Sequence, residues 1–243
     1  MTLVGSNTDI DWRGLVRDIE LLARTGCYEK VNNFLSLGNV DSLRRNASLL
    51  VAREGVLGDL GGGPGTSTKA VDVTAPRNSV ILLLDPSVDM LEISLANIPS
   101  ARVVRVGGRF ERLPFTDDSL AGIVAMFSFR DAVDHRRALD EMARVLRADG
   151  RLAILDIYRP ENPVVHLIVK AYIALMVPLA IVFNRCPIRY LNTYKSFLKS
   201  IDRMMTDKEL LRELSARFER TAFFPYLPGA GIFYAERPRG LPS

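Results

Sequence analysis

Apolar residues recur along this chain with two different periods. Trp12, Leu15, Val16, Ile19 and Leu22 fall at helical spacing, which predicts a helix over Asp11–Arg24 that Gly26 stops; a second helix is predicted over Asp41–Ala52. Five short apolar runs follow, at 56–60, 80–84, 102–106, 120–127 and 152–157, each of strand length. Amphipathic segments separate them: 66–73, a Ser87-capped segment with Met90, Leu91 and Leu95 that ends near Pro99, and 135–146 with a turn at Asp149–Gly150. A long apolar segment at 163–183 and a helix at 207–217 come next. The chain closes with two aromatic-rich strands, 218–227 and 231–236, joined at Pro228-Gly229-Ala230 as a hairpin. Strands alternating with helices imply an α/β fold, a mainly parallel sheet with helices on both faces, and the hairpin puts one antiparallel strand into it. A ligand crevice is expected at the carboxyl ends of strands one, two and four. The whole chain reads as one domain: a helical cap at 1–52, a core at 53–157, an apolar helical insertion at 158–205, and a final helix and hairpin at 206–243.

The first strand runs into Gly58-Asp59-Leu60-Gly61-Gly62-Gly63-Pro64-Gly65-Thr66. A strand, a glycine turn and a helix start, with Thr66 or Ser67 as the expected N-cap, bring backbone close to a bound cofactor. The spacing Asp59, Gly61, Gly63, Gly65 is not the dinucleotide fingerprint, because Thr66 stands where its third glycine belongs. It resembles motif I of the class I S-adenosylmethionine-dependent methyltransferases, in which the acid lies near the methionine amino group. Asp85, twenty residues beyond Gly65 at the end of the second strand, is placed to hold a ribose diol.

Composition narrows the alternatives without choosing among acceptors. The 243 residues are 48% hydrophobic and 25% charged, ample for one sizeable core. A net charge of +4 is spread over scattered arginines, which is compatible with an anionic membrane surface or with RNA and selects neither; nucleic acid is not the expected partner because no basic stripe with interleaved aromatics is present. Cys27 and Cys186 lack C-x-x-C spacing, and two histidines form no metal constellation, so neither a disulfide nor a metal site is expected. The polar N-terminus does not have the layout of a signal peptide, which points to a cytoplasmic protein, peripheral on the membrane if it meets one.

Further segments resemble the ubiquinone/menaquinone-biosynthesis C-methyltransferases: Tyr28-Glu29-Lys30-Val31-Asn32, Asp85 with Ser87 and Met90-Leu91, Glu111 to Asp117, Phe127-Ser128-Phe129-Arg130-Asp131, and Arg144 to Leu152. The Y-x-x-x-N segment together with F-x-x-R is the most specific of these. The resemblance implies a Rossmann-like class I methyltransferase fold of seven strands, S-adenosyl-L-methionine as methyl donor, and a small-molecule or isoprenoid lipid acceptor, with room for a homodimer. It also implies that Asp59, Gly61, Gly63, Pro64, Gly65, Asp85, Pro86, Arg109, Phe110 and Met126 bind the cofactor. Tyr28, Asn32, Phe129 and Tyr158 are then the substrate-side candidates. The chain departs from the family pattern at three positions. Arg109 stands where the family has Asp or Asn, and arginine has no acceptor for the adenine amine. Asp131 replaces Asn, and Ser128 replaces Gly.

A ring carbon attacks a methyl sulfonium well only after a neighbouring phenol loses its proton, so the site needs a base or a phenolate-stabilising group. Arg130 and Asp131, at the end of the fourth strand, are the catalytic candidates. Arginine stays protonated, which favours electrostatic stabilisation by Arg130, with Asp131 as the alternative base. The structural alternative is a loop salt bridge. Other readings are methylation of a different small or lipid acceptor and cofactor binding without transfer; RNA methylation and arsenite methylation fit less well. The segment 163–183 carries only Lys170 as a formal charge and is long enough to span a bilayer. It lies between strands of one sheet, however, so a lid or membrane-surface helix is the expectation, with His166 and Lys170 on one face and Pro178 kinking or ending it.

Overall fold

The computed structural model describes residues 23–188 and 191–239, so the helix expected over 11–24 lies, but for its last two residues, outside the described residues. Two helices, α1 (Cys27–Leu35) and α2 (Val40–Val51), precede β1 (Val56–Leu60), α3 (Thr66–Thr74), β2 (Val80–Asp85), α4 (Val88–Asn97), β3 (Val103–Gly107) and β4 (Leu120–Met126). A short 3-10 turn at Phe129–Asp131 leads to α5 (His135–Val145) and β5 (Leu146–Ile157). Then come α6 (Pro163–Phe183), α7 (Leu191–Arg203), α8 (Asp207–Arg217), β6 (Phe218–Leu227) and β7 (Ala230–Pro238).

The seven strands lie in the order β3-β2-β1-β4-β5-β7-β6. All neighbours through β5 are parallel, and β7 runs antiparallel between β5 and β6. The central strands are mostly apolar because both sheet faces are covered, with Asp59 in β1 and Asp156 in β5 as buried exceptions. Leu60, Ile123, Ala125, Leu152 and Ile154 face the layer that holds Met142 of α5 and Leu210 of α8. Leu57, Val124, Met126, Ala153 and Leu155 face the other layer, with Val51 of α2 and Val71 of α3. A third cluster joins α1, α6 and α7 through Val31, Ile173, Val177 and Ile201.

Five sequence expectations change. The cap of α3 is Gly65 in the left-handed region, with φ 93°, rather than Thr66 or Ser67. Those hydroxyls go to carboxylates instead: Thr66 donates to Glu29 and Ser67 to Asp59. β5 begins at Leu146, so the expected Asp149–Gly150 turn is part of the strand. Leu120 pairs with Leu146 and Gly122 with Arg151, and the register shift absorbs the residues between. Helix α7 was not expected; its apolar positions Leu191, Leu198 and Ile201 are diluted by polar neighbours, and the strongly apolar 163–183 run dominates the pattern. Helix α6 continues five residues past Pro178. Finally, Cys27 and Cys186 are joined in a disulfide. Packing of α1 on α6 brings together residues 159 positions apart, a separation at which no spacing rule reports a pair.

Candidate functional site

The site forms where β1 to β4 end. After β1 the chain turns sharply, and Leu84 O of the neighbouring strand accepts from Gly61 N at 2.7 Å and Gly62 N at 3.1 Å. Gly61 has φ 71°, and a Cβ there would meet Ser128 Cβ at 2.5 Å, so no other residue fits without displacing the β4 loop. Gly63 differs. Its N–H donates to Asp85 Oδ2 at 2.9 Å, and a Cβ would meet nothing nearer than that oxygen at 4.0 Å, so this glycine faces open space. Asp85 Oδ1 accepts from Ser87 N at 2.9 Å, which ties the end of β2 to the α4 cap.

Asp59 lies beneath the loop, fully buried. Its Oδ2 accepts from Ser67 Oγ at 2.7 Å and Thr68 Oγ1 at 2.6 Å, fastening the first turn of α3 to β1. Burial lifts this carboxyl to about 6, against the pull of the two hydroxyls. Oδ1 is buried with no hydrogen-bond partner in the protein. Gly65 also packs away from the opening, since a Cβ there would strike Ile98.

A cavity of about 830 Å³ opens above these loops. Gly61, Gly63, Pro64, Asp85, Pro86, Arg109, Phe110 and Met126 line it, so eight of the ten cofactor candidates share one wall, and Asp59 and Gly65 support it from below. Arg109 is largely exposed at the rim, with Nε 3.7 Å from Glu111.

Tyr28, Arg44, Phe127, Ser128, Arg130 and Asp131 line the same cavity, with Arg44 linked to the start of α3 through Glu29 and Ser128 packed on Gly61. Arg130 is buried. Its Nη1 donates to Asp156 Oδ1 at 2.9 Å and to Phe127 O, and its backbone N donates to Asp156 Oδ2 at 3.0 Å. Burial presses against the charge, but Asp131 and Asp156 more than offset it and leave the pKa above the ordinary arginine value. Asp131 Oδ2 sits 3.7 Å from Arg130 Nη2. Loss of hydration pushes the Asp131 carboxyl up to about 6, with Arg130 pulling the other way. Burial likewise raises the Tyr28 phenol, with Arg130 lowering it.

The other substrate-side candidates are placed elsewhere. Asn32 is half-buried one helical turn beyond Tyr28, and its amide nitrogen is buried with no hydrogen-bond partner in the protein. Asn32, Phe129 and Tyr158 do not line the cavity. Phe129 is fully buried edge-on to Phe110 and His135, because the 3-10 turn directs it into the core as Arg130 turns to the opening. Tyr158 packs edge-on against Phe223 and Phe233 under the terminal hairpin.

Three residues escaped sequence reading. Asp156 anchors Arg130, and an acid inside the apolar run Leu152–Ile157 was the available signal. Arg44 is 3% exposed and lines the cavity. It sits on the buried face of α2 with Val40, Leu43, Ala47 and Val51, so a charge on an apolar stripe marks it. Glu29 receives Arg44 Nη1 at 2.7 Å, Arg44 Nη2 at 3.2 Å and Thr66 Oγ1 at 2.8 Å.

These groups fit S-adenosylmethionine. The open face of Gly63, the Asp85 carboxylate and the unpartnered Asp59 Oδ1 suit an adenosine diol and a cationic amino acid, and the volume leaves room for an aromatic acceptor.

Known proteins agree with that geometry. A methyltransferase structure from Thermotoga maritima, described as a possible histamine N-methyltransferase, superposes with a TM-score of 0.59 at 19% identity, covering 92% of this chain and 99% of its own. One from Aquifex aeolicus gives 0.58 at 13% identity, covering 86% and 97%. These likenesses establish the class I S-adenosylmethionine-dependent methyltransferase fold. Demethylmenaquinone methyltransferase from Clavibacter sepedonicus is 34% identical over 159 residues, 63% of each chain. The ubiquinone/menaquinone biosynthesis C-methyltransferase of Hahella chejuensis is 28% identical over 201 residues, 77% of this chain and 76% of its own. The chain thus spans somewhat under two thirds of the Clavibacter protein's length. With residues 22–228 matching its sequence profile, the chain belongs to the ubiE/COQ5 methyltransferase family.

Proposed function

We propose that this protein transfers a methyl group from S-adenosylmethionine to a ring carbon of a quinol bearing an isoprenoid tail, of the menaquinone or ubiquinone type. The observation that carries the reading is the buried Arg130 cation, fixed by Asp156 at 2.9 Å and facing the cofactor loops across one cavity beside a carboxyl of pKa about 6. When bound, S-adenosylmethionine supplies an electrophilic methyl on a sulfonium. Asp131 accepts the proton of the acceptor phenol, since a base poised near neutrality is the efficient one. Arg130 stabilises the phenolate that results, in a site where water does not screen it, and the hydrogen displaced from the methylated ring carbon leaves as a proton to solvent, which restores the aromatic quinol. Tyr28, on the cap helix, lines the cavity beside Arg130. The names of the relatives, which refer to menaquinone and ubiquinone, support this acceptor class.

Helix α6 supports a membrane-dissolved substrate. It is the one helix among the described residues long and apolar enough to cross a membrane, and 28% of its most apolar stretch is buried. His166 and Lys170 do not form a solvent-facing stripe: both bond Asp202 of α7, at 2.9 and 2.8 Å. The opposite face, with Val164, Leu167, Leu175, Val182 and Phe183, is exposed. An apolar face of this kind lies in a bilayer surface, where an isoprenoid tail is reached from the side. Spanning is disfavoured because Tyr172 Oη donates to Leu35 O at 2.8 Å and Val169 packs on the β6–β7 turn, holding α6 along the domain. Mass spectrometry of quinones from a strain lacking the protein tests the acceptor. A species lighter by one methyl group is expected; an unchanged quinone pool overturns the reading.

A further inference from the structure

Arg44 is a cation without an assigned task. Arginine offers two bidentate edges, an end-on pair of Nη hydrogens and a side-on pair from Nε and Nη2. The end-on edge is taken by Glu29, at 2.7 and 3.2 Å, and Asp41 approaches Nη1 at 3.5 Å. The side-on edge is not taken, and Nε is buried with no hydrogen-bond partner in the protein. The guanidinium carbon lies 5.9 Å from the Phe127 ring centroid. A buried, partnerless N–H on a cation is costly to leave unsatisfied, and this residue lines the cavity. Burial opposes its charge, but Glu29 holds the group fully protonated.

Resting on the cofactor reading above, we infer that the side-on edge of Arg44 receives the carboxylate of the donor's methionine end, and that Glu29 transmits this contact to the cap helix. Thr66 and Ser67 begin α3 and line the same part of the cavity, where first-turn N–H groups favour an anion. Glu29 sits on α1 next to Tyr28 and bonds both Arg44 and Thr66. A carboxylate on Arg44 therefore locks a three-membered node that joins α1, α2 and the cofactor loop. Donor binding then fixes Tyr28 over the acceptor position before the acceptor enters.

Calorimetry with two ligands tests this. S-adenosylhomocysteine has the amino-acid carboxylate; 5′-methylthioadenosine shares the adenosine and sulfur but lacks it. Arg44→Gln should weaken S-adenosylhomocysteine about 10- to 100-fold, the range for a hydrogen bond to a charged group, and leave 5′-methylthioadenosine unchanged. Equal losses for both ligands, or none for either, overturn the assignment. If wild-type protein binds neither ligand, the cofactor reading itself fails. Two wild-type measurements remain if the variant does not fold. The Arg44 Nε–H resonance should shift with S-adenosylhomocysteine and not with 5′-methylthioadenosine. Hydrogen exchange over Cys27–Leu35 should slow with the first ligand alone. An unmoved resonance contradicts the carboxylate contact, and unchanged exchange contradicts the coupling to the cap.

Discussion

Removing Asp156 probes the catalytic role proposed for Arg130 without replacing any cavity-lining residue. Asp156 is fully buried and bonds three donors: Arg130 Nη1 at 2.9 Å, Arg130 N at 3.0 Å and Ile157 N at 2.8 Å. Asp156→Ala leaves a buried cation short of one carboxylate and removes the acceptor that Arg130 N and Ile157 N share. Breaking a buried pair from one side costs about 3–5 kcal/mol. Asp131 and the Phe127 carbonyl stay with Arg130 and reduce that, so about 3 kcal/mol is the expected loss. For a chain of this size that corresponds to a fall of roughly 6–12 °C in Tm. Asp156→Asn keeps shape and one acceptor oxygen and should lose about half as much. The assay is urea denaturation alongside single-turnover methyl transfer to a quinol. Both variants should lose rate while S-adenosylhomocysteine affinity holds, because Asp156 positions Arg130 and does not meet the donor. If Asp156→Ala is as stable and as fast as wild type, the Arg130–Asp156 pair does not organise the site.

Three other outcomes follow. The single-turnover rate should fall as pH drops through about 6, since Asp131 must be ionised to accept a proton and its carboxyl is raised to that value; Asp131→Asn should abolish this limb, and a limb that survives assigns the base elsewhere. Unreduced protein should be two hydrogens lighter than its dithiol form, and Cys27→Ser with Cys186→Ser should cost about 2–5 kcal/mol of stability; two free thiols in the unreduced protein contradict the cross-link. Wild-type protein should float with anionic liposomes and Leu167→Glu with Leu175→Glu should not, both positions being exposed on α6; wild type that remains soluble at every lipid composition means that face is not a membrane contact.

The fold was legible because its signals are local. Apolar runs of strand length, separated by amphipathic segments, fixed six of the seven strands nearly to their ends, and the glycine turn with Asp85 falls on the wall of the cavity. What escaped were long-range facts. Cys27 meets Cys186, Glu29 meets Arg44 and Thr66, and Asp156 meets Arg130 only once the layers pack. Phe129 lies away from the cavity for a related reason: neighbouring residues on a tight turn point opposite ways, and Arg130 took the cavity side, whereas Tyr158 is drawn under the terminal hairpin by Phe223 and Phe233. Charges embedded in apolar stripes, at Arg44 and Asp156, were the cues that sequence reasoning passed over.

Methyl transfer from isotopically labelled S-adenosylmethionine to a demethylated quinol, read by nuclear magnetic resonance of the product, tests the central claim most directly. Wild-type protein should give a carbon-bound methyl on the quinol ring, and Arg130→Ala should bind donor normally yet give little product. An oxygen-bound methyl, or an Arg130→Ala protein as active as wild type, would contradict the account.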